Sequence, residues 1–207
     1  MIRRGGGMGT NLTFDFDRTA VVALDCQAGV VSIYVKPAEA FLARASGVLG
    51  AARKARLPVI HVKVGFRPGL PEVSARNKLL ASIKASTEHQ RLFEGSVGAI
   101  HPALGPEESD LVVTKHRLSA FAGTDLEMLL RAKDIHTLIL FGIATSGVVL
   151  STLLEACDAD YNVVVISDCC TDLDPQLHEA LIARLFPQRG LVVTAAETVE
   201  ALEAVAN

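Results

Sequence analysis

Long hydrophobic runs are missing from this chain. Half of its 207 residues are apolar, but they come in short stretches, well below the roughly 20 consecutive apolar residues of a membrane-spanning helix. There is no tryptophan, tyrosine occurs only twice, and the formal net charge is −3. A basic stripe interleaved with aromatics is therefore absent, and with it the electrostatic case for nucleic acid. The four cysteines, Cys26, Cys157, Cys169 and Cys170, form no C-x-x-C pair and show no zinc-ligand spacing. The adjacent Cys169 and Cys170 are poorly placed for a disulfide, so all four read as small buried hydrophobes in a reduced cytoplasm. Neither G-x-G-x-x-G after the first strand nor G-x-x-x-x-G-K-[ST] occurs, which argues against a nucleotide-binding domain. The head, MIRRGGGMGT, is basic and glycine-rich with no apolar segment behind it. It reads as part of a flexible extension over residues 1–18, not as a secretory signal. Residues 19–207 then suffice for one well-buried domain and are short for two.

What is present is a regular alternation of strand and helix patterns. Thr19–Asp25, TAVVALD, is apolar on both faces, as a strand of a parallel sheet covered by helices would be, and it ends in an acid. A glycine-containing turn follows, and Pro37 opens a helix whose apolar face includes Phe41, Leu42, Ala45, Val48 and Leu49. Val59–Val64 is a second strand. His61 lies within it as a packed histidine or a metal ligand, with no second ligand at suitable spacing nearby. Residues 65–109, broken by Gly65, Pro68, Gly69, Pro71, Pro102, Gly105 and Pro106, form a connection long enough to be a lid or an oligomer contact. One or two helices fit within 74–92.

Leu111–Thr114 predicts a third strand with Lys115 at its end, and Thr124 caps the helix after it. Leu138–Phe141 is a buried strand punctuated by Gly142. Thr145, Ser146 and Gly147 make the turn, and Val148, Val149, Thr152, Leu153 and Ala156 follow at helical spacing. Such a turn is either an ordinary βα connection or a place where backbone N–H groups converge on an anion, with Ser146 as cap. Asn162–Ile166 is a fifth strand closed by Ser167 and Asp168. Asp174-Pro175 caps another helix, Leu191–Val193 is a sixth strand, and a terminal helix covers 197–205. The pattern predicts an α/β fold of three layers, doubly wound around a mostly parallel six-stranded sheet. Asp25 and Lys115 occupy equivalent positions, each just past a central strand of that sheet. They form either a structural salt bridge or the core of an active site.

Side by side, these segments resemble the isochorismatase-like hydrolases, also called cysteine hydrolases, across nearly all of the chain. The marks are Asp25-x-Gln27, the lysine in VVTKHRLSAFAGTDLEMLL, and GIATSGVVLST followed by a strand ending in SDCCTD. The resemblance implies a site at the C-terminal edge of the sheet, a non-proline cis peptide near Ile143-Ala144, a small-molecule substrate and homo-oligomeric assembly. In the family's amidases an Asp, a Lys and a Cys act together. A thiol with a free pKa of about 8.5 is activated by the acid, and backbone N–H groups hold the oxyanion. Here the cysteine position is Val148. The resemblance thus implies a hydrolase without a thiol, with Asp25 as general acid or base and Lys115 as its electrostatic partner. Gln27, Phe121, Ala144, Thr145, Gly147 and Val148 would form the pocket and anion site for a small, anionic metabolite. True isochorismatases, with glycine at that position, use their Asp as an acid on a vinyl ether. No metal and no cofactor are expected, since His61 does not reproduce the family's zinc motif. The rival reading is a catalytically silent binding or assembly protein on the same fold.

Overall fold

The computed structural model describes residues 3–4 and 12–204. A short antiparallel pair, β1 (Arg3–Arg4) and β2 (Leu12–Thr13), precedes the main sheet. The main chain then runs β3 (Thr19–Leu24), α1 (Ala28–Tyr34), α2 (Glu39–Lys54), β4 (Val59–Val64), α3 (Lys78–Ala85), α4 (Thr87–Arg91) and β5 (Leu111–Lys115). It continues through α5 (Leu126–Ala132), β6 (Thr137–Ile143), a π turn over Thr145–Val149 leading into α6 (Leu150–Asp158), and β7 (Asn162–Thr171). It closes with α7 (Pro175–Ala180), β8 (Leu191–Val193) and α8 (Ala195–Glu203).

The six strands β3–β8 are all parallel and lie in the order β5-β4-β3-β6-β7-β8. Every residue of β3 and β6 is buried, as strands with helices packed on both faces must be. The chain winds outward from β3 to β5, returns to the middle at β6 and winds the other way. The carboxyl ends of β3 and β6 therefore flank the topological switch point, where connections leave in opposite directions and open a crevice.

Several expectations shift. Residues 1–18 fall partly outside the described residues, but Leu12 and Phe14 are buried in the main core, so the packed region begins before Thr19. The turn after Asp25 contains a helix, α1, which packing supports against weak propensity. Val30 and Val31 are buried, and a Cβ on Gly29 would lie 2.7 Å from the Leu92 carbonyl oxygen, so only glycine lets the 92–97 segment close on it. Pro37 precedes its helix instead of opening it: α2 starts at Glu39, and Lys36-Pro37 is cis. β7 runs five residues past the expected Ile166, pairing Cys170 with Gly142 and Thr171 with Ile143 across a register shift. β5, expected as a central strand, is the outer strand of the described sheet. The N-cap of α5 is Asp125, not Thr124, whose Oγ1 accepts the Leu126 N–H at 3.2 Å from one residue before it. The terminal helix has a capping box between Thr194 and Glu197.

His61 is a packed histidine. Its Nε2 lies 3.2 Å from Asp110 Oδ2, and the same carboxylate is paired with Arg53 and accepts the Glu107 N–H. Burial pushes the His61 pKa down despite the carboxylate. Asp110→Ala is expected to lower stability by about 3 kcal/mol, because it strands a buried imidazole and a largely buried guanidinium. Urea unfolding checks this, and ligand binding in the pocket should not change.

Candidate active site

The peptide after β3 turns sharply. Asp25 has φ 53°, a left-handed conformation that Asp tolerates better than most residues, and its N–H is held by the Val62 carbonyl at 2.9 Å. Gln27, fully buried, fixes this turn from behind. Its Nε2 donates to Val64 and Gly98 carbonyls at 3.0 and 2.7 Å, and its Oε1 accepts the Val64 N–H at 2.8 Å. Gln27 thus ties the Asp25 turn to the end of β4 and to the return of the 65–109 connection, and it does not line the cavity.

The Asp25 side chain meets Lys115, whose own side chain reaches across the end of β4. Nζ lies 2.8 Å from Asp25 Oδ2 and donates to the Arg117 carbonyl at 3.0 Å. Lys115 is 1% exposed. Asp25 Oδ1 is buried with no hydrogen-bond partner among the described residues. Burial raises the Asp25 pKa, and the Lys115 ammonium pulls it down less strongly, so it stands above the ordinary carboxylate value. The folded state then holds this proton more tightly than the unfolded chain. Asp25 favours the fold below its unfolded pKa and loses that contribution as pH rises through its folded one. The Asp25 carboxyl is expected to titrate above the ordinary carboxylate value, and higher still in Lys115→Met. Carbon-13 NMR titration of the Asp25 carboxyl in both proteins checks the direction.

The turn after β6 forms the facing wall. Gly142 lies opposite Leu24 in register, the Ile143-Ala144 peptide is cis, and the π turn follows. Ala144, Gly147 and the buried Val148 line the cavity. Thr145 does not: its Oγ1 turns away to His178 Nδ1, at 2.8 Å. Ser146 is not a side-chain cap. Its backbone N–H, part of the expected anion site, is taken by Asp172 Oδ2 at 2.7 Å. The Gly147 N–H closes on the Ala144 carbonyl at 3.2 Å. Phe121 also departs from expectation. The Ala120 N–H on Thr152 Oγ1, at 3.0 Å, turns this segment inward, and the Phe121 ring packs on Tyr161 with centroids 5.8 Å apart.

Between these walls is a cavity of about 400 Å³ containing Asp25, Lys115, Val148 and Asp172. The 65–109 connection roofs it with Phe66, Leu79, Leu80, Ile83 and Phe93. That roof has a small apolar cluster of its own, Leu70, Val73 and Leu80 packed with Phe66 and Ile83. His116 and Arg117, directly after Lys115, hold it down. The His116 ring bonds the Gly65 carbonyl, and Arg117 donates to the Glu72 carbonyl at 3.1 Å. The same short segment therefore carries the buried amine and anchors the roof.

Sequence reading missed Asp172, Tyr34, His116, Arg117 and the roof residues as cavity lining. Asp172 had a visible signal in SDCCTD, but the strand carrying it was ended too early. None of the four cysteines lines the cavity. Burial pushes the Cys26, Cys157 and Cys169 thiols up, and that of Cys170 up to about 12.

A doubly wound α/β protein with a buried acid–amine pair in a pocket at its switch point is the class that fold and site define. Residues 19–198 match the isochorismatase domain, and the chain belongs to the isochorismatase family. It is 30% identical over 200 residues to the uncharacterized isochorismatase family protein YwoC of Bacillus subtilis, covering 93% of this chain and 98% of that one. It is 25% identical over 195 residues to the maleamate amidohydrolase of Pseudomonas putida, covering 92% and 89%. An isochorismatase family protein from Burkholderia thailandensis superposes with a TM-score of 0.79 at 34% identity, over 92% of this chain and 98% of that chain.

Proposed function

We propose that this protein hydrolyses a small metabolite without a thiol nucleophile, with Asp25 as general acid or base and Lys115 as its electrostatic partner. The observation that carries the reading is the buried, unpartnered Oδ1 of Asp25 in a pocket where its other oxygen is held by Lys115. An acceptor in that state is placed to take a proton from an attacking water and return it to the leaving group. The bond from the carbonyl carbon to the leaving atom breaks as the water oxygen bonds that carbon, and the proton count balances across the two transfers. On a vinyl ether the protonated Asp25 would instead donate to the methylene carbon before water adds. Lys115 keeps the carboxylate's charge from being uncompensated in a dry site. Val148, standing where the family's amidases carry the thiol, leaves water as the nucleophile. The same reading takes the protein as a cofactor-free, cytoplasmic homo-oligomer. No helix of the described residues is long and apolar enough to cross a membrane.

Val148 also favours the rival reading, a binding protein that keeps the pocket and has lost the chemistry. A screen of wild type and Asp25→Asn on isochorismate, small amides and vinyl ethers, with iodoacetamide present, separates the two. Turnover that survives the reagent and disappears with Asp25→Asn supports the hydrolase. No turnover, with ligands still raising the Tm of both proteins, supports the binder.

A further inference from the structure

The start of the helix after β6 is where an anionic substrate group would be expected to dock, because unpaired N–H groups and the helix dipole favour negative charge there. In this chain the place is already filled from within. Asp172, carried into the cavity by the extra length of β7, accepts the Ser146 N–H at 2.7 Å through Oδ2 and, weakly, the Asp174 N–H at 3.4 Å through Oδ1. The Ser146 hydroxyl and the Leu173 N–H also bear on this carboxyl, so its roughly four lone-pair sites are largely engaged from within the chain, and what it offers the cavity is negative charge. It has no cationic side-chain partner among the described residues' ion pairs.

The other charged groups of the cavity are Asp25, Lys115, His116 and Arg117, the last keeping its positive charge at the exposed rim, where solvent screens it. Lys115 is matched by Asp25 at 2.8 Å. Arg117, exposed at the rim, donates to the His116 and Glu72 carbonyls, and His116 lies 3.5 Å from Glu72 Oε1. The remaining lining is largely apolar, with the Tyr34 hydroxyl as a further polar group. Hydrogen bonds from the Ser146, Leu173 and Asp174 segment hold the Asp172 carboxyl below its ordinary pKa, against its partial burial.

We infer that Asp172 is a specificity-determining residue: it favours substrates that present a cationic or uncharged end beside an apolar body, and it rejects carboxylates. This deepens the hydrolase reading and rests on the same pocket being the substrate site. A carboxylate placed against Asp172 would meet like charge in a partly desolvated cavity, an amide would meet none, and an amidinium would be attracted.

Benzoate, benzamide and benzamidinium test this, since they share a ring and differ in the charge and donors of one end. Calorimetry on the full-length protein is expected to give benzamidinium the lowest Kd, benzamide the next and benzoate the highest, with about tenfold or more between the extremes. Asp172→Asn keeps an oxygen for the Ser146 N–H and is expected to bring the extremes within about threefold. Asp17→Asn, the same charge change at an exposed position, should leave the ranking intact. Benzoate binding wild type as tightly as the others, a ranking that persists in Asp172→Asn, or no saturable binding of any of the three would overturn the inference. Binding needs no turnover, so the two readings fail separately. If Asp25→Asn retains full turnover while the ranking holds, only the catalytic proposal falls. If the ranking fails while turnover depends on Asp25, only this inference does.

Discussion

Asp25→Asn is expected to lower kcat/KM by about 10²–10⁴-fold, the span usually lost with a positioned general acid or base. Asparagine matches the shape of the side chain and cannot exchange the proton. It also leaves the Lys115 ammonium, 1% exposed, facing a neutral amide, so the variant should lose about 3–5 kcal/mol of stability as well. The two effects separate in Asp25→Asn/Lys115→Met. Removing both charges should return most of the stability, because a buried ion pair is often worth little more than well-packed neutral groups, while turnover stays lost. Urea unfolding and steady-state kinetics on wild type and both variants check this. Full activity in the folded single variant would rule out Asp25 as the proton-transfer group. Recovery of activity in the double variant would mean that the first loss was one of folding.

Gly142→Ala is expected to cost more than about 4 kcal/mol, among the largest effects a single substitution has. A Cβ there would lie 2.0 Å from the Leu24 carbonyl oxygen and 2.7 Å from its Cβ, which no rotamer change relieves because the first contact is backbone. The φ of 146° adds strain for any residue with a side chain. β3 and β6 are the two central strands, and Leu24 immediately precedes Asp25, so any relaxation that admits the methyl group moves the acid. Gly47 is the control: it lies on the exposed face of α2 with nothing within 4 Å of its would-be Cβ. Gly47→Ala should be neutral or stabilising by about 0.5–1 kcal/mol. Chemical denaturation of both variants measures the contrast, and a Gly142→Ala protein with wild-type stability would contradict this account of the crevice.

Taken alone, the sequence settled the alternation of buried strands and amphipathic helices, because burial on both faces leaves a run such as TAVVAL apolar throughout, and period and turn chemistry are local properties. It also placed Asp25 and Lys115 at strand ends, and the order of three motifs was enough to resemble the family to which the chain belongs. What it did not contain was strand order. That β5 lies at the outside of the sheet, and that the Lys115 side chain must therefore cross β4 to reach Asp25, follows from which strands pair, a choice made by contacts far apart in the chain. Side-chain direction was equally out of reach. Thr145 sits between two cavity-lining residues but turns away toward His178, and Phe121 packs on Tyr161 outside the cavity. Gln27 holds the site together from behind it. The placement of Asp172 came from tertiary structure alone: five further residues of β7 bring it to the Ser146 N–H, and a turn that reads locally as an anion site carries its own carboxylate.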